Sequence, residues 1–313
     1  MRLAGERWTP ASWLMFGPRW ALALPLVVLV PWALWRRRRL FLPLALGAAI
    51  VFGPLMDLRV PRRPPPGADR PVLRVLSCNV GGSRCNPDAL LRLIVDSGAD
   101  LVSLQEYPYG LRLALPAGWH EIRPHEGGIT LFSRYPLRAV QLLRGQHLPD
   151  PTPHDCLLSA SVRTPAGEVA VHALHLPTAR FGILHDLAQT WGLWAGSPGF
   201  AERVAANRAR MSRQAVDVVR AQRGPAIVAG DFNMPVESSL YRDDWGGLVN
   251  AFSRTGAGYG WSSRGALRGI PVPIRIDHVL CGGGIEPLAC RIGPDVGSDH
   301  RPVLADLRLP VAR

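Results

Sequence analysis

The chain has 313 residues, 47% of them apolar, enough for a sizeable core in one large domain or two. Its net charge of +12 invites nucleic acid as a partner, but residues 1–70 hold 11 Arg against Glu6, Asp57 and Asp69. Residues 71–313 hold 25 Arg against 21 acids, and a charge so distributed is weak evidence for DNA or RNA. Five cysteines (Cys78, Cys85, Cys156, Cys281 and Cys290) show neither CxxC pairing nor finger spacing, and read as core filler rather than as a disulfide framework.

The chain opens as membrane sequence. Apolar runs at 20–35 and 40–56 flank four consecutive arginines, Arg36 to Arg39. At helical rise these runs reach about 24–26 Å, near the lower limit for a bilayer core. Arg19 can snorkel, and Trp20, Trp32 and Trp35 suit an interfacial belt. The reading is a transmembrane helical hairpin over residues 1–58, with spans about 17–35 and 40–57. A buried soluble hairpin is the bland alternative, but four arginines make a poor turn inside a globule. Neither run is followed by a clear small-residue cleavage site, while Arg38-Arg39-Leu40-Phe41-Leu42 looks like a twin-arginine signal. The positive-inside rule applied to the tight arginine turn puts the catalytic domain outside the cytoplasm, against a larger total of flanking arginines. Residues 59–71 are a Pro- and Arg-rich linker, and the catalytic domain spans 72–313.

From Val72 onward short apolar strands alternate with turns and a few helices. Residues 72–80 and 99–106 read as strands, and 86–98 as a helix capped by Asn86 with Pro87 in its first turn. Residues 200–224 are the longest helical pattern and end on Gly224. An apolar run, Ala226 to Ala229, reads as a strand that stops at Gly230. Segments 274–280 and 301–309 close the series. The pattern favours two packed sheets flanked by helices.

Polar groups collect at the strand ends. Asn79, Glu106 and His175 end three strands, Asp231 and Asn233 follow another, Asp277 interrupts "IRIDHVL", and Asp299-His300 precede the last. Asp231 and Asn233, two apart on extended chain, project together while Phe232 packs the other way. If these residues converge, their carboxylates cannot sit together without a cation, which argues for a hard ion such as Mg²⁺. Mn²⁺ and Ca²⁺ suit the same donors. His172 and His278 read as structural, and His154 as loop.

The ordered set "RVLSCNV", "DLVSLQE", "GITLFSRYPL", "HALHLP", "GDFNMP", "IDHVL" and "GSDHRPV" resembles the endonuclease/exonuclease/phosphatase family, which includes deoxyribonuclease-I-like nucleases, abasic-site endonucleases, inositol polyphosphate phosphatases and neutral sphingomyelinases. The resemblance runs from about Val72 to Leu309 and implies a four-layer α/β/β/α sandwich with its site at one edge of the sheets. It further implies Glu106 as principal Mg²⁺ ligand, assisted by Asn79 and Asp299. Asp231 would act on the attacking water or leaving oxygen, Asn233 on a phosphoryl oxygen, and His300 beside the scissile phosphate, oriented by Asp277. His175 would be a candidate general acid. Where some abasic-site endonucleases carry an Asp, this chain has Gly81, which puts a second metal contact in doubt.

The implied activity is a membrane-anchored phosphoesterase, with a DNA or RNA endonuclease or exonuclease and a catalytically silent membrane scaffold as alternatives. Residues 177–200 border His175 and carry Phe181, Trp191, Trp194 and Phe200 with only Arg180 and Asp186 as charges. Such a segment suits a membrane interface or self-packing better than a polyanion. The substrate is left open among a lipid headgroup, a small phosphodiester and nucleic acid, and no protein partner is implied.

Overall fold

A computed structural model describes residues 9–61, 71–125, 128–190, 197–267 and 269–310. The first part is helical: α1 (Thr9–Phe16), α2 (Leu24–Arg36) and α3 (Phe41–Ile50). Next come β1 (Val72–Asn79), α4 (Pro87–Asp96), β2 (Leu101–Tyr107), β3 (His120–Ile122) and β4 (Gly128–Ser133). A long hairpin follows, β5 (Leu137–His147) and β6 (Asp150–Thr164), then β7 (Gly167–His175), α5 (Arg180–Thr190) and α6 (Phe200–Ala221). The remainder is β8 (Ala226–Asp231), α7 (Ser239–Trp245), β9 (Val249–Asn250), α8 (Ala251–Thr255) and the two-residue strands β10 (Ala266–Leu267) and β11 (Ile270–Pro271). β12 (Asp277–Gly282), β13 (Glu286–Ile292) and β14 (Val303–Arg308) end the chain.

The long strands form two six-stranded sheets, in the orders β13-β14-β1-β2-β4-β3 and β5-β6-β7-β8-β12-β9. Each sheet has one parallel pair, β1 with β2 and β7 with β8, and is otherwise antiparallel. Their inner faces are apolar, and Val75, Leu101 and Leu131 share a buried cluster with Val171, Ile227 and Val279. On the outer face of the first sheet, Leu90 and Ile94 of α4 cover Leu76 and Val102. On the outer face of the second, Met211 and Val216 of α6 and Trp245 of α7 cover Leu174 and Val228. The layers are thus α/β/β/α. Burial on this scale supplies most of the folding free energy at about 25 cal/mol per Å².

Local signals account for the element ends. Asn86 Oδ1 accepts the Ala89 N–H at 3.0 Å, with Pro87 in the first turn of α4. The long helix α6 stops before Gly224, because Gln222 already adopts extended backbone. Strand β8, expected to stop at Gly230, runs through to Asp231. The missing side chain is the reason: a Cβ on Gly230 would lie 1.9 Å from Leu174 O of the parallel neighbour. All five cysteines are free and buried.

Arg19–Arg36 and Arg38–Leu55 are two 18-residue helical stretches, mean hydropathy 1.2 and 1.4, long and apolar enough to cross a membrane. Val27, Val28, Trp35 and Leu42 on them are exposed. Their base does not hang free. Arg19 donates to Met15 O, Leu55 O and Glu237 Oε2, and Asp57 pairs with buried Arg275. Arg59 exchanges backbone hydrogen bonds with Gly258, so the linker's first residue is docked. Linker residues 62–70 lie outside the described residues.

Candidate active site

Strand register gathers the site. His175 on β7 stands opposite Asp231 on β8, and Asp231 opposite Asp277 on β12, so the three form one row across the second sheet. Asn79 ends β1 beside the β2 end that carries Glu106. Packing of the two sheets brings these ends together: Asn79 Nδ2 donates to Glu106 Oε1 at 2.9 Å and to Asp231 Oδ2 at 3.0 Å. One amide therefore spans the seam between the sheets.

His300 arrives from the segment before β14. Asp277 Oδ2 lies 2.8 Å from His300 Nδ1, and His300 Nε2 lies 3.9 Å from Asp231 Oδ2. Burial works against a charged His300, but the charges of Asp277 and Asp231 and the Asp277 hydrogen bond outweigh it and push the imidazole up to about 10. Burial, then the Asp277 charge, raises Asp231. Burial lowers His175 despite Glu106, whose Oε1 is 3.6 Å from His175 Nε2. Charge thus pushes His300 towards its cationic form, while burial pushes His175 and Asp231 towards their neutral forms.

Two site residues are backbone exceptions. Glu106 and Asn233 have φ of 52° and 50°, two of four non-glycine residues in the left-handed region among the described residues. Asn233 is therefore not on extended chain, as the two-residue spacing had suggested. It still faces Asp231, because its backbone N–H donates to Asp231 Oδ1 at 2.8 Å and its amide to Asp231 Oδ2 at 3.2 Å. The same amide donates to Leu176 O at 2.8 Å, so both its N–H groups are engaged within the protein. Phe232 packs the opposite way, fully buried beneath Trp245 and His278.

Asp299, next to His300, is paired through Oδ2 with Arg84 at 2.7 Å. Gly81 has φ of 60°, and a Cβ there would lie 2.9 Å from Asp299 Oδ1, so an acidic side chain at this position has little space. Asn79 Oδ1, the atom a cation would use, accepts the Gly81 N–H at 2.9 Å and keeps a second lone pair. His172 and His278 are buried against Ser159 Oγ and Met234 O, and burial lowers them to about 4 and 3. His154 sits on β6 rather than in a loop, hydrogen-bonded to Asp150, because the β5–β6 hairpin extends further than its apolar pattern. Phe181 and Phe200 lie on α5 and α6, while Trp191 and Trp194 fall outside the described residues.

The residues that brace the site were not singled out by sequence reasoning. Ser298 Oγ donates to Asn79 O at 2.7 Å and accepts the His300 N–H at 3.1 Å. Ser262 Oγ accepts the Asp277 N–H. Arg208, buried on α6, donates to Pro177 O and Asn233 O and joins the loops after β7 and β8. His147, at the tip of β5, packs edge-on to His175 with centroids 4.9 Å apart. Ser298 lies within "GSDHRPV", but its hold on Asn79 O is a tertiary contact, and Ser262, Arg208 and His147 lie outside the motifs.

Residues 76–300 match the description "Endonuclease/Exonuclease/phosphatase family". The chain belongs to that family. Comparison with curated protein sequences returns no match. Among solved structures, an endonuclease/exonuclease/phosphatase from Bacteroides vulgatus aligns with a TM-score of 0.54 at 17% identity, over 77% of this chain and 100% of the other. A 3′-5′ exonuclease from Neisseria meningitidis gives 0.54 at 18% identity over 74% and 98%. Truncated TDP2 from Caenorhabditis elegans gives 0.55 at 14% over 76% and 98%. At these identities the likeness is one of fold.

Proposed function

We propose that the protein is a membrane-anchored, metal-dependent phosphoesterase that cleaves a phosphodiester or phosphomonoester by in-line attack of water. The observation that carries this reading is the Asp231–Asp277–His300 group, whose ligand atoms lie within 4.8 Å of one another, with Asn79 and Glu106 across the seam. Fit to a cation is supported by Asp277 Oδ1, which is buried without a hydrogen-bond partner, and by the half-exposed Glu106 carboxylate. Glu106 and Asn79 would hold it, with Asp299 offering Oδ1, since its Oδ2 is the oxygen paired with Arg84. A hard ion such as Mg²⁺ suits these oxygen donors and, when bound, neutralises charge developing on phosphoryl oxygens.

The chain's own groups divide the proton work by environment. Asp231, raised towards neutrality by burial, is poised to take a proton from the attacking water. His300, held cationic by Asp277, faces the phosphoryl group as electrostatic stabiliser and donates to the leaving oxygen. His175 is kept neutral by burial, which makes it the weaker donor and leaves it to orient water or substrate. Asn233 steadies Asp231, and bonding a phosphoryl oxygen would require its amide to release Leu176 O.

The test uses the full chain in detergent with bis-p-nitrophenyl phosphate, p-nitrophenyl phosphate and supercoiled plasmid. Turnover of an aryl phosphate should vanish on chelation and return with Mg²⁺, and Glu106→Gln should raise the Mg²⁺ requirement at least tenfold. Nicking of plasmid in preference to the aryl esters would favour the nuclease alternative. Absence of turnover on all three in Mg²⁺, and on phospholipid and sphingomyelin vesicles as well, would leave only the silent scaffold.

A further inference from the structure

The base of the N-terminal hairpin touches the catalytic domain at the segments that bear the site. Glu237, partner of Arg19, lies four residues beyond Asn233, and Arg275, partner of Asp57, lies two before Asp277. All four are buried or nearly so: the side chains of Arg19, Glu237, Arg275 and Asp57 are 11%, 3%, 4% and 9% exposed. Two further contacts involve the rim of the cleft. Helix α1 rests on α5, which follows His175, and Trp20 Nε1 donates to Pro271 O at 2.9 Å on the β10–β11 hairpin. That hairpin grows out of Ser263, which bridges to His300.

Both apolar stretches therefore leave the domain at the cleft rim: one begins at Arg19 and Trp20, and the other ends at Leu55 and Met56. The rim itself presents Phe181 and Leu184 on α5 and Ile270 on β11, 44%, 40% and 48% exposed. Arg180 and Asp186 are the charged side chains that accompany them on α5, where His185 is buried. Isolated exposed apolar side chains need no explanation, but these flank the two points where the chain would leave for the bilayer. A bilayer is the occupant that this continuity selects.

We propose that the docked hairpin holds the cleft against the membrane surface, so that the enzyme takes its phosphate ester from a lipid headgroup of the bilayer in which it is anchored. The inference rests on the phosphoesterase reading above. Water adds its oxygen to phosphorus, the phosphorus–oxygen ester bond breaks, and the departing oxygen takes up a proton from the site while the water's proton stays behind on it. The product that remains in the membrane depends on which ester bond is cut.

The experiment reconstitutes the full chain in vesicles of phosphatidylcholine, phosphatidylglycerol and sphingomyelin in equal parts. Because the native cysteines are all buried, a single introduced cysteine takes a bimane label selectively. Labels at Phe181→Cys and Ile270→Cys should be quenched by doxyl-labelled lipid. A label at Val95→Cys, near the end of α4 remote from the site, should not. Headgroup phosphate should be cleaved in the host vesicles, and Phe181→Ser should lower the ratio of lipid to bis-p-nitrophenyl phosphate turnover about fivefold. Turnover of the soluble diester with unquenched rim labels, or without lipid cleavage, overturns the inference and leaves the hydrolase reading standing. Turnover of neither overturns both.

Discussion

At His300 two opposed effects meet, and the balance between them sets what the imidazole can do. Burial alone would make it neutral, as it does at His172 and His278, but two carboxylates within 4 Å reverse the sign. Removing either partner should therefore disable the same function. His300→Ala should lower kcat by about 10²-fold, the scale of a positioned acid–base group. Asp277→Asn should lower it too, and the double variant should lose little more than the worse single one. Additive losses in steady-state kinetics would separate the two residues. His172 offers the complementary case. Its folded value near 4 lies below the unfolded 6.5, so the unfolded chain binds the extra proton between these limits and stability falls as pH drops through them. Replacing it by Gln should shrink the loss of stability between pH 7 and pH 5 by about 2 kcal/mol in denaturant titrations. The sequence located the polar residues at strand ends, since a carboxylate or imidazole closing an apolar run is visible without structure. It could not show that Asp299 turns to Arg84, or that Asn233 has its amide engaged, because both depend on neighbours distant along the chain.

Among the elements, β8 shows what spacing could and could not say. Its apolar run was plain, yet its end was misplaced by two residues because Gly230 reads locally as a terminator. In the sheet the same glycine is what lets β7 lie close enough for His175 to stand opposite Asp231. Gly230→Ala should push β7 and β8 apart, lowering the melting temperature by several degrees and activity by more than tenfold. Unchanged activity in a correctly folded Gly230→Ala protein would show that the row of three is not needed in register. By contrast α4 was legible down to its cap, because Asn86 and Pro87 act within one helical turn. The pairing order of the twelve long-sheet strands was beyond reach, as nothing in an apolar strand names its neighbours.

For the whole molecule, the division into anchor, linker and catalytic domain is the least secure part of a linear reading. Residues 9–20 and 55–59 pack on the domain that the sequence assigned to begin at Val72. Composition changes abruptly at the linker, and it was composition that drew the boundary, whereas ion pairs such as Asp57–Arg275 span 218 residues. We propose that residues 72–313 lie outside the cytoplasm, on the strength of the arginine turn at 36–39. Protease added to spheroplasts should digest the catalytic domain without lysis. Protection there, with digestion after lysis, places it inside instead.

The strand order has a further effect on the protein's manufacture. The central strand β1 pairs on one side with β14, the last strand to be made, and His300 is supplied by the segment just before it. Ser298, in that same segment, is also what ties His300 back to Asn79. The N-terminal helices are therefore made long before the pocket is complete. A copy cut short before residue 300 carries Asn79, Glu106, Asp231 and Asp277 but lacks His300, and one cut short of Val303 leaves β1 with a bare edge. Abortive synthesis then yields a chain with an incomplete pocket and an exposed strand edge for quality control to find.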